Sequence, residues 1–503
     1  MTMRFLPGVT RFSGLCGLTA VGALTFTMYG CDTNKLVQVQ DPSALRPGDL
    51  NNAGAVPALV SGAFRQFVGG YSGFGDDSFL SSSAVLTDEA YYGDTFTTRD
   101  AADKRNLQPT VLGNISDNAF TRLEQARFNA RRAFGVVNAF STSLTASADS
   151  ATKAQLRTIE GYVYLTLSEG WCGAVPFSKL PDTGPIDPSA IEFGASLGTI
   201  PMNDTAVQRF DEALTLNAAN RLASVGKGRA LLNSGRFSEA AAAVQNVPTT
   251  YVFLMEHSAN TGSENNPISA LQANGRYGVA NLEGGVTATG AAIRPDASSP
   301  GVTATSAEGI PFRGLMDPRV PWGPRAGRGT CFSSSVLCWL NDNYPNIDAD
   351  VPLASGVEAR LIEAEAALQA GQPDVMLTRL NGLRSNQTAL LARLYPGQKQ
   401  VFPNATLGPL SDPATVTMTP AQQFAARRDL LFMERALWLY NTGHRQGDLR
   451  RLIRNYGVPS DQAFPSGPHF RGGRYGSDVA YPVPFSEQNN PKFVPAACVT
   501  TTA

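Results

Sequence analysis

Four acidic residues are the first candidates for chemistry in this sequence. Asp76, Asp77, Asp88 and Glu89 all occur in one stretch rich in aromatic residues. Two carboxylates on opposite sides of a sugar could serve as the acid and the base of a glycoside hydrolase. Acids in a polar stretch more often form turns and solvate the loop that carries them. A secreted glycoside hydrolase therefore stays open as an alternative, and no catalytic residue is assigned.

Other kinds of catalysis find little support. The chain has three histidines, His257, His444 and His469, and they are scattered along the sequence. We predict that His444 is a packed hydrogen-bonding residue rather than a general base. No phosphate-binding loop of the Gly-x-x-x-x-Gly-Lys-Ser/Thr type occurs. There is also no Cys-x-x-Cys pair, so we predict neither a metal site nor a cofactor.

An arginine-rich stretch at residues 433–452, MERALWLYNTGHRQGDLRRL, could be an active site, a nucleic-acid patch or scaffold. Its pattern predicts one helix that ends at Gly443 and another with Asp448 at its N-cap or in its first turn. The arginines can pair with Asp448 and Glu434 or donate to carbonyls at helix ends. A nucleic-acid site would require a basic protein, whereas the formal net charge is −1. We therefore predict structural ion pairs and no nucleic-acid partner.

The N-terminus has the pattern of a secretory signal. Residues 1–11 form a short basic region, and residues 12–30 carry no charge and are rich in Leu, Ala, Val and Thr. This stretch is short and diluted by Gly and Thr, which favours a signal peptide over a stable membrane span. We predict a lipoprotein signal peptide at residues 1–30.

A lipid anchor is predicted directly after this signal. Gly30 followed by Cys31 is typical of the junction that a bacterial lipoprotein signal peptidase cleaves after lipid addition to the thiol. Met28 and Tyr29 depart from the usual pattern, and an ordinary signal peptide with an incidental cysteine is the alternative. Residues 31–52 would form a polar tether, and the chain would reach the membrane only through its lipid.

Four further cysteines permit disulfides in an exported chain. Cys331 and Cys338 are separated by FSSSVL and are predicted to close a loop. A bridge between Cys172 and Cys498 follows only by elimination, so this pairing stays open.

The chain contains a repeated pattern of paired helices. Residues 222–248 have small and bulky residues at the packing positions of a tetratricopeptide unit: Gly228, Leu231, Gly235, Phe237, Ala240 and Val244. Residues 356–385 repeat the scheme, with Gly371 as the break. Residues 118–140 and 151–177 are predicted to pack as an antiparallel helix pair. The fold is therefore predicted to be mainly α, a tetratricopeptide-like helical-hairpin scaffold that forms a partial α-solenoid.

Two long segments interrupt this helical pattern, at about 71–115 and 249–352. They show little helical periodicity and are rich in Gly, Asn, Ser and Thr. Irregular segments of this length in a compact protein are usually functional loops or a small inserted subdomain. We predict one helical domain, residues 53–503, that presents both segments as long irregular ligand-presenting loops.

Residues 433–452 also resemble the C-terminal signature of the SusD/RagB family, in which Glu-Arg, Gly-His-Arg and Asp-Leu-Arg-Arg recur. The matching residues are Glu434, Arg435, Gly443, His444, Arg445, Asp448, Leu449, Arg450 and Arg451. Gln446 departs from the pattern, because the family usually has an aromatic residue there. Other stretches that resemble family motifs, in the family's order, are RTIEGYVYLTLSEGWCGAVPF, DPR at 317–319, ARLIEAEAALQAG with RLNGLRS, and YPVPFSEQNNPKF at 481–493. Together they extend from about residue 50 to the end.

The resemblance implies a surface-exposed outer-membrane lipoprotein with a tetratricopeptide-like scaffold and no enzymatic activity. Such a protein caps a TonB-dependent transporter, a SusC-like barrel, and captures oligosaccharides or other nutrients. Family members share scaffold motifs rather than ligand residues, so the resemblance transfers no binding residue to this chain.

Candidate ligand residues come instead from the two irregular segments. Sugar rings stack on aromatic faces, and Asn, Asp and Arg complete the hydrogen bonds. The predicted ligand-binding residues are Tyr71, Phe74, Tyr91, Tyr92, Phe96, Arg99, Trp322, Arg325 and Trp339. Aromatic residues in loops also serve as packing, and a peptide or another polymer would suit the same surface. A helical-repeat interaction scaffold without a small ligand is a further alternative, although it would not be expected to carry long aromatic loops.

Overall fold

The computed structural model describes residues 52–73, 77–107, 113–143, 145–182, 187–297, 304–306, 309–399, 402 and 405–503. The predicted signal peptide, Cys31, the tether up to residue 51, Phe74 and Asp76 lie outside these residues. Among the residues described, no helix is both long enough and apolar enough to cross a membrane.

Helices dominate the described chain, as the sequence predicts. In chain order they are α1 (Val56–Ser72), α2 (Phe79–Leu86), α3 (Thr97–Asp103), α4 (Asp117–Ala139), α5 (Ala146–Gly170), α6 (Thr199–Leu216), α7 (Arg221–Asn233), α8 (Phe237–Val244), α9 (Pro267–Ala273), α10 (Gly356–Gln369), α11 (Pro373–Ser385), α12 (Gln387–Leu394), α13 (Pro420–Trp438), α14 (Arg445–Tyr456) and α15 (Ser460–Ala463). The mainly α fold is confirmed.

The strands are short and pair two by two, always antiparallel. They are β1 (Ala90–Tyr92) with β5 (Tyr277–Val279), β2 (Val175–Pro176) with β3 (Ser196–Leu197), β4 (Val252–Met255) with β10 (Val351–Ser355), β6 (Val286–Thr287) with β7 (Ala304–Ser306), and β8 (Trp322–Pro324) with β9 (Trp339–Asn341).

The two predicted helical hairpins are confirmed. Gly235 lies between α7 and α8 with φ +74°, and Gly371 lies between α10 and α11 with φ +68°. Both glycines adopt the left-handed conformation that side chains with a Cβ avoid, so they can turn the chain sharply. The absence of a side chain at Gly228 also matters, because a Cβ there would overlap the side chain of Val244. The two helices can therefore pack closely.

Local sequence explains where several helices begin and end. The Thr419 hydroxyl accepts the N–H of Gln422 at 3.3 Å, and the Gln422 amide oxygen accepts the N–H of Thr419 at 2.9 Å. This capping box, with Pro420 in the first turn, starts α13. The next helix, α14, ends at Gly457, which has a φ of +67°.

The predicted pair α4 and α5 does pack together, and both helices also have other partners. α1 packs along α4, and α6 packs along α5. The core between them includes Phe67, Leu123, Tyr162 and Phe210, all buried. Stacking helices in this way buries a continuous apolar core, as in other helical repeat architectures.

The arginine-rich stretch forms buried ion pairs, as predicted. Asp448, in the first turn of α14, accepts two hydrogen bonds from Arg435, both at 2.8 Å, and one from Arg451 at 2.9 Å. Arg451 also pairs with Glu365 of α10, and Arg319 pairs with Glu434 of α13. The stretch at 433–452 therefore pairs both with the motif at 317–319 and with α10.

Arg450 serves the other predicted role, at the end of a helix. Its Nη1 donates to the carbonyl oxygens of Ser168, Glu169 and Trp171, at 2.7, 2.9 and 3.1 Å. These carbonyls lie at the end of α5, where the last turn leaves acceptors without partners in the helix. Gln446, the departure from the family pattern, donates nearby to the carbonyl oxygen of Gly170 at 3.0 Å.

The described residues of the segment at 249–352 contain short strands, the 3-10 helix Gly262–Glu264 and the single α-helix α9. The prediction for 71–115 was incomplete, since this segment contains α2, β1 and α3. All eight residues of α2 are buried. A helix that is covered on every side has no polar face, so its sequence lacks the periodicity that reveals a surface helix.

Two disulfides join the four remaining cysteines. Cys331 bonds to Cys338, with a Cα–Cα distance of 4.7 Å. Cys172 bonds to Cys498, with a Cα–Cα distance of 5.0 Å. The second bond ties the end of the chain to the turn that follows α5.

Candidate functional site

The two irregular segments meet at the pair of strands β1 and β5. Ala90 lies opposite Val279, Tyr91 opposite Gly278, and Tyr92 opposite Tyr277. Just beyond β1, the N–H of Gly93 donates to the carbonyl oxygen of Arg276 at 2.7 Å. Main-chain hydrogen bonds thus make one surface out of two segments that are far apart in the sequence.

The disulfide hairpin β8–β9 is attached to this junction. The N–H of Ser333 donates to the carbonyl oxygen of Gly93 at 2.9 Å, and the N–H of Phe332 donates to that of Gly275 at 2.8 Å. Cys331 lies so close to Gly93 that a Cβ at position 93 would overlap its sulfur. The loop between the two cysteines is therefore held against both segments.

Phe96 is exposed between two arginines on this surface. Its side chain is 53 % exposed. The guanidinium carbon of Arg99 lies 5.3 Å from the ring centroid and that of Arg276 lies 5.0 Å from it. Each arginine is held in turn by a buried carboxylate: Asp77 pairs with Arg99 at 2.8 Å, and Asp94 pairs with Arg276. The phenyl ring is thus flanked by cations whose positions are fixed.

Phe332 provides a second exposed ring, at 58 % exposure, beside the turn at residues 274–275. Arg325 lies against this turn and donates to the carbonyl oxygens of Ala273 at 2.9 Å and Thr330 at 3.2 Å. Gly275 has φ +69°, and a Cβ there would overlap the Arg325 guanidinium. We call the area formed by Phe96, Arg99, Arg276, Arg325 and Phe332 the Phe96–Phe332 surface.

Three of the predicted ligand residues are interior residues instead. Tyr71, Tyr91 and Tyr92 have no exposed side-chain area. Tyr71 donates to the carbonyl oxygen of Thr442 at 2.8 Å, and Tyr91 donates to that of Leu337 at 2.7 Å, inside the disulfide loop. The phenol groups of Tyr71 and Tyr91 link distant segments, so their rings are covered by the elements that they join. The prediction that they present faces to a ligand was wrong.

Tyr92 nevertheless helps to place an exposed residue. Its hydroxyl accepts the N–H of Phe96. Its ring packs edge to face on Tyr277, with 6.2 Å between centroids, and the guanidinium carbon of Arg471 lies 5.2 Å from its centroid. Tyr92 therefore supports Phe96 from below rather than contacting solvent.

Trp322 and Trp339 are partly buried at the base of the hairpin. Their rings meet edge to face with centroids 5.3 Å apart. The indole N–H of Trp322 donates to the carbonyl oxygen of Arg313 at 3.2 Å, and that of Trp339 donates to that of Asp296 at 2.8 Å. Since both polar groups have partners within the protein, only the exposed parts of the rings are available to a ligand.

Sequence reasoning missed Arg276 and Phe332. Arg276 follows the Asn-Gly turn at residues 274–275, and nothing in the sequence places this turn against Phe96. Phe332 gave a usable signal, because it is the one large apolar side chain beside a run of serines in a predicted disulfide loop. A bulky apolar residue that a short closed loop cannot bury is expected to face solvent.

The suspected catalytic carboxylates are buried and have protein partners. Asp77 accepts from the Tyr277 hydroxyl at 2.9 Å as well as from Arg99. Asp88 accepts two hydrogen bonds from Arg445, at 2.6 and 2.7 Å. Glu89 accepts the N–H of Asn441 at 2.8 Å, and burial raises the pKa of its carboxyl to about 8. None of the three is in a position to reach a sugar.

A Gly-x-Ser-x-Gly sequence at residues 194–198 does not form a nucleophile turn. Ser196 lies in β3, and its hydroxyl donates to the carbonyl oxygen of Lys492 at 3.5 Å. All three histidines bond elsewhere: His257 to Ser72 and Glu264, His444 to Thr442 and Glu358, and His469 to Asp103. Within the described part of the chain, no group of three or more His, Cys, Asp or Glu side chains is arranged to hold a metal ion.

Comparison by sequence finds no family model and no curated protein that matches the chain. Comparison by structure finds clear matches. A SusD superfamily protein from Bacteroides fragilis is 12 % identical and has a TM-score of 0.57, with 88 % of this chain and 99 % of that one covered. Surface glycan-binding protein A from Bacteroides uniformis is 13 % identical and has a TM-score of 0.56, with the same coverage.

A third similar structure contains a glycan. Surface glycan-binding protein A from Bacteroides thetaiotaomicron, solved in complex with laminarihexaose, is 13 % identical and has a TM-score of 0.54. The match covers 90 % of this chain and 99 % of that protein. The matches extend over nearly the whole length of each of these proteins. We conclude that the chain adopts the fold of the SusD superfamily.

Proposed function

We propose that this protein is a SusD/RagB-type nutrient-capture lipoprotein, without enzymatic activity, that binds an oligosaccharide at the Phe96–Phe332 surface. In this proposal it is anchored in the outer membrane through Cys31, faces the outside of the cell, and forms the lid of a TonB-dependent, SusC-like transporter. The observation that carries the proposal is the pair of exposed phenyl rings of Phe96 and Phe332, with Arg99 and Arg276 over the first ring and Arg325 against the turn beside the second.

The chemistry of this surface suits a carbohydrate. The weakly polar face of a sugar ring stacks on an aromatic side chain, and guanidinium groups donate to hydroxyl or carboxylate oxygens. The protein holds these groups in place before a ligand arrives, with the disulfide at Cys331, the β1–β5 pairing and the buried carboxylates of Asp77 and Asp94. A preformed surface loses little conformational entropy on binding.

The similar structures support the ligand class. Two of them are described as surface glycan-binding proteins, one in complex with laminarihexaose, and another as a laminarin-binding SusD-like protein. The lipoprotein-like junction at Cys31 supports the anchor. The transporter partnership rests on the motif resemblance together with the shared fold.

A panel of neutral and acidic oligosaccharides, with peptides as a comparison, tests the ligand class by isothermal titration calorimetry. We expect one glycan class to bind, and we expect no release of reducing ends during long incubation. Release of reducing sugar would favour the hydrolase instead. Binding of peptides but of no glycan would overturn the proposed ligand class.

Affinity purification of the tagged full-length protein from gently solubilised native membranes tests the partner. We expect a TonB-dependent barrel to co-purify in a stoichiometric amount, as measured by mass spectrometry. A protein that emerges alone, even after cross-linking, would contradict the lid function and favour a capture protein or scaffold that acts by itself.

A further inference from the structure

A cavity of about 340 Å³ lies apart from the Phe96–Phe332 surface, and it shares no residue with that surface. It is enclosed by α1, α5, the start of α7 and the β4–β10 pair. The aromatic residues that line it are Phe64, Phe67, Tyr162, Tyr251 and Phe253. Small-molecule sites usually have volumes of about 300–1,000 Å³ and mostly apolar walls. The size and lining of this cavity fall within that range.

The cavity has a closed floor and an open, aromatic mouth. Phe67, Tyr162 and Leu353 are each 1 % exposed or less and form the floor. Phe64 and Phe253 meet edge to face nearer the mouth, with centroids 5.9 Å apart, and both remain partly exposed. Protein interiors are normally packed without voids of this size. An aromatic cavity left open to water gains stability when an apolar group fills it.

Most polar groups around the cavity are already bonded within the protein. The Tyr162 hydroxyl donates to the carbonyl oxygen of Leu222 at 3.0 Å. The Asn220 amide donates to the Thr158 hydroxyl at 2.9 Å and accepts the N–H of Ala223 at 3.0 Å. These groups therefore have little remaining capacity to recognise a ligand.

Arg221 is the charged side chain around the cavity that has no such bond. Its side chain lines the cavity and makes no hydrogen bond or salt bridge with the residues that the structure describes, and no acidic residue lines the cavity with it. Burial raises the pKa of the neighbouring Tyr251 phenol to about 12, an effect that the charge of Arg221 opposes. A cation at the mouth of an aromatic cavity, without a counterion, is suited to an anion attached to an apolar ring.

We propose that this cavity binds a small aromatic carboxylate, with its ring among Phe64, Tyr251 and Phe253 and its carboxylate on Arg221. Gln155, at the rim, is placed to donate to the same carboxylate or to a ring substituent. This function is separate from glycan capture, so either could fail without the other.

Isothermal titration calorimetry on the mature full-length protein tests the proposal with 3-phenylpropanoate and with its neutral amide, which has nearly the same shape. We expect the acid to bind at least tenfold more tightly than the amide at low salt, and this preference to weaken as salt is added. The Arg221→Gln variant should lose the preference. Arg221 has no partner to lose, so its replacement should leave the melting temperature unchanged.

Arg393→Gln is the matched control, since Arg393 is an exposed arginine of α12 outside the cavity and has no ion pair among the described residues. It should bind both probes as the wild type does. The proposal is overturned if the acid does not bind at millimolar concentration, if acid and amide bind equally, or if Arg221→Gln retains the preference. Glycan binding by Arg221→Gln, measured in parallel, should be unchanged.

Discussion

The main-chain N–H of Gly93 donates to the carbonyl oxygen of Arg276 at 2.7 Å, and the side chain of Arg276 then lies over the ring of Phe96. This contact joins two segments that are separated along the chain by helices α3 to α9. It explains why the Phe96–Phe332 surface has residues from both segments and why no side chain fits at Gly93.

Replacement of Phe96 or Phe332 by Ala should weaken glycan binding about tenfold or more for each ring, since stacking on an aromatic face is worth roughly 0.5–1.5 kcal/mol beyond the buried area. Both rings are more than half exposed, so the melting temperature should hardly change. Titration calorimetry and a thermal melt measure the two effects. Phe193→Ala, which removes a partly exposed ring outside this surface, should retain wild-type affinity; equal losses in all three variants would contradict the proposed site.

Gly93→Ala should both destabilise the protein and weaken glycan binding. A Cβ at position 93 would overlap the sulfur of Cys331, so the hairpin and β1 would have to move apart. Overpacking of this kind costs about 1–3 kcal/mol. Gly62→Ala is the control, because Gly62 lies in α1 with open space around it and should become more stable by about 0.5–1 kcal/mol. Chemical denaturation measures both, and a neutral Gly93→Ala would show that the contact is not tight.

Asp448→Asn should destabilise the scaffold by about 3–5 kcal/mol, because it leaves Arg435 and Arg451 as buried charges with fewer partners. Denaturation followed by circular dichroism measures the free energy of unfolding. In Asp412→Asn the lost pair with Arg427 is partly exposed to solvent, and the change should stay below about 1 kcal/mol. Similar small effects in both variants would mean that the buried network contributes little.

The free energy of unfolding should contain a Glu89 contribution that falls between about pH 4.5 and pH 8. Burial raises the pKa of this carboxyl to about 8 in the folded protein, so the folded state retains a proton that the unfolded state has lost. Stability is therefore highest below the unfolded pKa and decreases as pH rises toward the folded pKa, by on the order of 5 kcal/mol in total.

Glu89→Gln should remove this slope, because the amide keeps the acceptor for the N–H of Asn441 and carries no ionisable proton. Denaturation of the wild type and the variant at pH 5, 6.5 and 8 measures the difference. The variant should gain stability relative to the wild type as pH rises. A constant difference across this range would show that Glu89 does not titrate there.

The helical scaffold could be predicted from the sequence because its signals are local. Gly235 and Gly371 mark turns that only a left-handed residue makes easily, and the small residue at Gly228 indicates where two helices approach. The ion pairs within the arginine-rich stretch could also be predicted, since Arg435, Asp448 and Arg451 are close in the chain. The prediction that aromatic loops bind the ligand came from composition, which does not reveal which of their aromatic residues are exposed.

The tertiary structure alone decided which aromatic residues face solvent. Tyr91 and Tyr92 point to opposite faces of β1, and alternation would normally place one inside and one outside. Here the disulfide hairpin covers one face, while Tyr277, Arg471 and the interior cover the other, so both tyrosines are buried. Phe96 and Phe332 stay more than half exposed, and the ring of Phe96 is flanked only by the side chains of Arg99 and Arg276. Burial at these positions depends on partners hundreds of residues away, whereas the helical hairpins depend on neighbours a few residues apart.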